Sequence, residues 1–83
     1  MKLLYFAWVR QKLGRSEENL PLPSDVSTLK ELAAYLRDRG DGYTAAFSEP
    51  QRLRAAVNQE HANWNAIVRD NDEVAFFPAV TGG

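Results

Sequence analysis

The six C-terminal residues carry the groups best suited to chemistry in this sequence. Glycine has no side chain, so a Gly-Gly ending can pass through a channel too narrow for a Cβ atom and present an unhindered carboxylate. Adenylation would make that carboxylate reactive, and sulfide transfer to the adenylate would leave a thiocarboxylate, so sulfur could be carried without a cysteine. The ending is typical of a carrier that reacts inside another protein; a frayed end without function is the alternative. These residues are Pro78, Ala79, Val80, Thr81, Gly82 and Gly83.

Pro78 is expected to mark the point where the tail leaves the folded part of the chain. Proline has no N–H group and therefore tends to end strand pairing. Fully extended, residues 78–83 would reach roughly 20 Å beyond the domain. The sequence predicts a folded domain over residues 1–77 and an extended, flexible tail over residues 78–83, with the reactive carboxylate on Gly83 and Gly82 beside it.

No catalytic site is expected elsewhere in the chain. His61 is the only histidine and there is no cysteine, which excludes thiolate metal sites and leaves a Ser-His-Asp triad unsupported. Asp70, Asp72 and Glu73 lack the further ligands of a calcium-binding loop, so a charged hairpin turn explains them better. We expect no metal, no bound cofactor and no enzyme activity in this chain on its own.

Length and composition indicate one small domain without a nucleic-acid or membrane partner. The chain has 83 residues, of which 45% are hydrophobic, and a formal net charge of −1. That charge provides no basic field for nucleic acid or an anionic membrane, and no apolar run approaches the roughly 20 residues that a membrane helix needs. Met1-Lys2 leads directly into a strand-like pattern rather than a signal peptide. We therefore expect a soluble, cytoplasmic protein.

Strands around one main helix are predicted to hold the tail. Thr28 and Glu31 have the spacing of a capping box, and the apolar stripe that follows predicts a helix from Leu29 to Arg39. Alternation in residues 2–9 predicts a first strand that is apolar on both faces. The order β-β-α-β-β predicts an α+β roll, with a mixed sheet packed on that helix. Further segments are a helical turn at 10–14, a strand at 18–22, a short helical piece at 42–47, strands at 53–58 and 73–77, and a brief pairing segment at 67–68.

Three segments resemble one known family. Residues 70–83, which end Phe-Phe-Pro-x-Val-x-Gly-Gly, closely resemble the C-terminus of the small subunit of molybdopterin synthase, the MoaD-type sulfur carriers. Residues 4–10 resemble the opening strand of that family, and residues 56–59 are similar to its central strand and turn. Ala79 stands where the family usually has a second proline, which would loosen the tail, and Asn71 stands where it often has glycine.

The resemblance implies a ubiquitin-like β-grasp fold and a function in molybdenum cofactor biosynthesis. An E1-like adenylyltransferase would use ATP to adenylate Gly83, and a sulfur donor would convert the adenylate to a thiocarboxylate. The tail would then enter the large subunit of molybdopterin synthase, in a heterotetramer, and pass sulfur to cyclic pyranopterin monophosphate. The chain would be the small co-substrate subunit of that sulfurtransferase complex.

An aromatic patch is predicted where the tail leaves the sheet. One long helix covers one face of a sheet, so the opposite face stays open. Strand alternation places Phe6 and Trp8 on the open face, and Phe77 on the last strand can join them. An exposed aromatic patch beside the tail is suited to docking a partner protein.

Three other hypotheses stay open at this point. A related carrier for thiazole synthesis would share the fold and the Gly-Gly ending, but it is not expected to have Phe76-Phe77-Pro78. A ubiquitin-like modifier would use the same tail chemistry to form isopeptide bonds with lysines, and conjugates in cell extracts would reveal it. An interaction module with an inert tail would keep its activity without Gly82-Gly83.

Overall fold

Five short strands form one mixed sheet in the computed structural model, which describes residues 1–79. They are β1 Lys2–Tyr5, β2 Glu17–Asn19, β3 Leu53–Val57, β4 Glu60–Ala62 and β5 Glu73–Pro78. Their order across the sheet is β2-β1-β5-β3-β4. β1 and β5 are parallel, and the other neighbouring pairs are antiparallel. The first and last strands therefore pair with each other at the centre of the sheet.

The helices are α1 Ala7–Leu13, α2 Leu29–Arg37 and α3 Gly42–Phe47, and a 3₁₀ helix, Pro50–Arg52, precedes β3. α2 is the main helix that the sequence predicts, although it ends at Arg37 rather than Arg39. Its capping box is formed: the Glu31 N–H donates to Thr28 Oγ1 (3.2 Å), and the Thr28 N–H donates to the Glu31 carboxylate (3.1 Å). Within residues 1–79, no helix is long and apolar enough to cross a membrane.

The core lies between the helices and one face of the sheet, here called the inner face. Phe76 of β5 is fully buried. Its ring lies edge-on to Phe47, with 5.0 Å between the centroids, and stacks at 6.4 Å on Trp64. Three leucines of α2 are also fully buried: Leu29, Leu32 and Leu36. The side chains on the opposite, outer face of the sheet are half-buried or exposed, so the predicted arrangement of a mixed sheet on one main helix is confirmed.

The first strand is shorter than predicted because the chain turns into α1 after Phe6. Ala7 has a positive φ of 53°, and the Phe6 carbonyl accepts the N–H groups of Val9 (3.1 Å) and Arg10 (3.4 Å). The prediction of a strand that continues to Val9 is therefore wrong. Val9 is buried, but it reaches the core from a helix. A short run of closely spaced apolar residues fits a two-sided strand and a buried helix equally well, so periodicity could not separate the two.

The sequence prediction did not include β4. Asn58 and Gln59 both have positive φ, 51° and 72°, as the two central residues of a type I′ hairpin turn require. They reverse the chain between β3 and β4, and a strand of three residues is too short to show an alternation. β2 is also shorter than predicted, Glu17–Asn19. Ile67 forms an isolated bridge with Thr28.

Candidate docking face and tail base

The outer face is charged at one end of the strands and aromatic at the other. At the start of β1 and β5 it carries the charged register partners Lys2 and Glu73. Toward the end of β5 it carries Phe77, whose register partner on β3 is Arg54. The aromatic part therefore lies where β5 leads into the tail. The strand side chains on the outer face are Lys2, Leu4, Glu17, Asn19, Arg54, Ala56, His61, Glu73, Ala75 and Phe77.

Phe6 and Phe77 are neighbours on this face. Tyr5 and Phe76 are register partners in the parallel pair, and the Phe6 N–H continues that pairing by donating to the Phe76 carbonyl (3.2 Å). Phe6 has an extended backbone, so the alternation that directs Tyr5 inward directs Phe6 outward. Its side chain is 47% exposed, and that of Phe77 is half-buried. The structure thus brings both predicted aromatic residues to one solvent-accessible surface.

Trp8 is not on a strand, so its predicted position on the outer face of β1 is wrong. It belongs to α1 and is half-buried against the core. The guanidinium carbon of Arg52 lies 4.9 Å from the centroid of its indole ring, within the range of a cation–π contact. Trp8 therefore lies beside the 3₁₀ helix that contains Arg52.

Pairing continues past Phe77, where the sequence predicts that it ends. Pro78 is the register partner of Leu53, and the Ala79 N–H donates to the Arg52 carbonyl (2.8 Å). Because N–H groups alternate between the two sides of a strand, the nitrogen of Pro78 is directed toward β1. On that side, the Phe6 carbonyl already accepts the N–H groups of Val9 and Arg10 in α1. The sheet therefore loses no hydrogen bond because proline lacks an N–H.

The bond to the Arg52 carbonyl holds Ala79 in the sheet. Pro78 and Ala79 are called the tail base below. A proline at this position could not donate to Arg52, so the departure from the family pattern adds a contact at the start of the tail. Val80, Thr81, Gly82 and Gly83 lie outside the described residues, and the predictions made for them stay predictions.

Two residues beside Phe77 were not predicted from the sequence as site candidates. The His61 ring lies edge-on to the Phe77 ring, with 5.5 Å between the centroids. Arg54 follows as the register partner of Phe77. His61 could not be placed from sequence because β4 was not predicted. Arg54 belongs to the predicted strand 53–58, and its position next to the apolar Leu53 in that strand was the available signal.

A polar cluster lies at the β2 edge of the sheet, on the inner side. Glu18 accepts hydrogen bonds from Tyr43 Oη (2.6 Å), Tyr5 Oη (2.9 Å), Arg39 (3.0 Å) and Arg15 (3.0 Å). Burial opposes ionisation of this carboxyl group, but the hydrogen bonds from the two tyrosines and Arg39 outweigh it and hold the pKa of Glu18 below its usual value. Burial, together with the Glu18 charge, raises the pKa of both tyrosines. Every charge in the cluster is paired, so it is explained as a contact between elements.

Comparison with known proteins identifies the family. Residues 3–83 match the ThiS family. The chain belongs to this family. Among curated relatives of this ThiS-family chain, the molybdopterin synthase sulfur carrier subunit of Escherichia coli is 37% identical over 83 residues, which cover 100% of this chain and 99% of the relative. The proteins of the same name from Haemophilus influenzae and Mycobacterium tuberculosis are each 34% identical and are covered over 99% and 96% of their lengths.

Solved structures show the same fold. The molybdopterin converting factor subunit 1 from Pyrococcus furiosus superposes with a TM-score of 0.68 at 24% identity, covering 95% of each chain. SAMP1 from Haloferax volcanii superposes with a TM-score of 0.66 at 19% identity, covering 100% of this chain and 98% of its own. The ubiquitin-like β-grasp fold that the resemblance implies is therefore confirmed for the ThiS-family chain, and so is the resemblance itself.

Within residues 1–79, no three His, Cys, Asp or Glu side chains gather closely enough to hold a metal ion. The described part of the ThiS-family chain offers instead an open aromatic surface beside a tail that starts from a fixed point. That arrangement can present a chain end to a partner protein that docks on the surface.

Proposed function

We propose that this chain is the sulfur-carrier subunit of a molybdopterin synthase. The observation that carries the proposal is its full-length similarity, at 37% identity, to a curated protein of that function. Four further relatives of the same name, at 31–34% identity, extend the similarity across bacteria and eukaryotes. The open surface beside the tail base supports the same conclusion, because a carrier must dock each time its end is charged or discharged.

The proposed chemistry takes place at Gly83. Its carboxylate displaces pyrophosphate from ATP in an E1-like adenylyltransferase, which gives an acyl adenylate. A sulfur donor then supplies sulfide, which displaces AMP and leaves a thiocarboxylate. In the large subunit of the synthase the thiocarboxylate sulfur bonds to cyclic pyranopterin monophosphate. Water then cleaves the bond between this sulfur and the Gly83 carbonyl carbon, which leaves the sulfur on the pterin and restores the Gly83 carboxylate for another cycle. ATP is used by the activating enzyme, and the catalytic pocket belongs to the large subunit.

Each segment of the chain has a separate task in this proposal. Phe6 and Phe77 bind the large subunit, and Pro78 with Ala79 fixes the starting point of the tail. Val80, Thr81 and Gly82 thread the tail into the partner, and the complex contains two copies of each subunit. The reaction takes place in the cytoplasm.

Intact-mass spectrometry tests the proposal directly. The chain is incubated with the cognate E1-like enzyme, ATP and a sulfur source. We expect a mass increase that corresponds to replacement of one oxygen by sulfur, and no increase in a matched chain that lacks Gly83. Addition of the large subunit and cyclic pyranopterin monophosphate should return the mass to its starting value and yield molybdopterin. A chain that gains no sulfur under these conditions would contradict the carrier chemistry.

The same experiment separates the other hypotheses. A thiocarboxylate that forms but is not discharged by the large subunit would indicate a carrier for another sulfur pathway. Conjugates to protein lysines in cell extracts would indicate a modifier. An unchanged mass with intact binding to the large subunit would indicate an interaction module.

A further inference from the structure

The aromatic end of the outer face is bordered by two arginines. Arg54 lies in β3 opposite Phe77, and Arg52 lies two positions earlier. Leu53 has an extended backbone and is fully buried, so alternation directs Arg54 outward. Arg52 ends the 3₁₀ helix before β3, and its exposed side chain places the guanidinium over the Trp8 ring. Arg52 also borders the tail base, because its carbonyl accepts the Ala79 N–H. Two cations therefore flank the point where the tail begins.

These two cations are available to a partner. Arg52 approaches Glu49 at 3.8 Å, but both side chains are more than half exposed, and an exposed ion pair of this kind contributes little. Arg54 donates to the carbonyl of Leu53 (3.0 Å). In the described part of the chain no carboxylate lies within ion-pairing distance of Arg54.

The end of the outer face far from the tail carries carboxylates as well as a lysine. Lys2 is paired with Glu17 at 3.9 Å, and Glu73 lies beside it in the register of β1 and β5. The outer face is therefore unevenly charged: Glu17 and Glu73 flank Lys2 at the far end, whereas the arginines lie at the tail end.

We propose that the surface of the synthase large subunit that receives the tail carries carboxylates around an apolar centre, and that Arg52 and Arg54 bind this acidic rim. The inference rests on the proposed function and deepens it by giving the partner surface a chemical character. Phe6 and Phe77 fill the apolar centre, and the arginines orient the approach so that the tail points at its channel. Charges at the rim of an interface act mainly on the association rate and its salt dependence, whereas the desolvated centre controls dissociation.

Association kinetics with the cognate large subunit test this inference. Stopped-flow measurements compare the wild type with Arg54→Glu and Arg52→Glu at ionic strengths from about 0.02 M to about 0.5 M, a range over which screening becomes nearly complete. We expect each substitution to slow association about fivefold or more at low salt, and the difference to shrink at high salt. Dissociation rates should change less than association rates.

Lys30→Glu is the matched control. Lys30 is exposed on α2, in the helix layer on the opposite side of the sheet, and its substitution makes the same change in net charge. Arg54→Gln, which removes the charge without reversing it, should have an intermediate effect. Arg54 is the cleaner position, because Arg52 also contacts Trp8. Far-ultraviolet circular dichroism and thermal melting establish that each variant is folded.

The outcomes separate this inference from the function on which it rests. If Lys30→Glu slows association as much as Arg54→Glu does, or if association does not depend on salt, the acidic rim is contradicted. A wild-type chain that gains sulfur and binds the large subunit under those circumstances keeps its function as a carrier. A wild-type chain that neither gains sulfur nor binds the large subunit would overturn both proposals.

Discussion

At the residue scale, the N–H group of Ala79 sets how far the last strand stays paired. Its bond to the Arg52 carbonyl (2.8 Å) lies one residue beyond Pro78, which has no N–H of its own. The strand can accommodate Pro78 because the nitrogen of that residue is directed toward β1, where the Phe6 carbonyl is occupied by α1. The described part of the chain therefore stays paired with the sheet as far as Ala79.

The Ala79 bond makes a prediction for amide hydrogen exchange. In the wild type we expect the Ala79 amide to exchange measurably more slowly than the same amide in a short peptide. Ala79→Gly keeps the N–H and should keep most of this protection. Ala79→Pro removes a hydrogen bond worth about 0.5–1.5 kcal/mol and restricts the unfolded chain by about 0.4–1 kcal/mol, so the free energy of unfolding should change by less than about 1 kcal/mol. Exchange of the Ala79 amide at the peptide rate would show that the bond is not formed in solution.

The sequence could predict the positions of some candidate residues and not of others for a physical reason. Phe6 and Phe77 were placed correctly because their outward direction follows from alternation near a recognisable tail. Trp8 was misplaced because the same alternation was continued past the point where the chain turns into α1. Arg52 and His61 depend on contacts between distant segments, and such contacts leave no local pattern in a sequence.

At the scale of secondary-structure elements, Glu18 connects parts of the fold that are far apart in the chain. It is the register partner of Leu3 and therefore lies on the inner side of β2, where its side chain is 7% exposed. Hydrogen bonds from Tyr5 in β1, Tyr43 in α3 and Arg39 after α2 converge on its carboxylate. The carboxylate thus joins the β2 edge of the sheet to the helix layer.

Glu18→Gln should lower the free energy of unfolding by about 1–3 kcal/mol at pH 7. Glutamine keeps one acceptor oxygen, but it removes the negative charge and puts an NH₂ group where the second oxygen accepts from the two arginines. The folded-state pKa of Glu18 is lowered. Its contribution to stability is therefore complete above the unfolded pKa of about 4.3 and is lost as the pH falls through the folded pKa. Urea unfolding at pH 7 and at about pH 3 measures this, and the advantage of the wild type over the variant should shrink at the lower pH. Glu17→Gln, at an exposed neighbour, is the control and should change stability by less than about 0.5 kcal/mol; equal effects of the two substitutions would contradict the assignment.

Local signals decided which elements could be predicted. The capping box at Thr28 and the apolar stripe that follows identified α2, because both patterns consist of residues that are close together in the sequence. A turn within residues 56–59 follows from the resemblance, but the strand after it could not be predicted, because three residues carry too little pattern. The inward position of Glu18 could not be predicted, since it depends on the register between β1 and β2.

At the scale of the whole molecule, the two faces of the sheet differ in burial and in composition. The helices and the core lie on the inner face, and their burial stabilises the fold. The outer face carries an aromatic pair beside the tail base, bordered by Arg52 and Arg54. Because the core does not depend on the outer face, the docking role proposed for that face can be tested without disturbing the fold.

Phe76 and Phe77 test this division with two substitutions at adjacent positions. Phe76 is fully buried and Phe77 is half-buried on the outer face. Phe76→Ala should lower the free energy of unfolding by about 3–5 kcal/mol. Phe77→Ala should leave the fold stable but weaken binding to the large subunit by about tenfold or more, as the loss of an aromatic residue at the centre of an interface does. Urea unfolding and titration calorimetry measure the two effects.

Ile67→Ala is the control for the binding measurement, because Ile67 is 58% exposed and bridges to Thr28, away from the outer face. It should leave binding to the large subunit unchanged. If Phe77→Ala binds as tightly as the wild type, the outer face is not the docking surface. If Phe77→Ala unfolds as readily as Phe76→Ala, the two faces are not independent, and a loss of binding could not be assigned to contact with the partner.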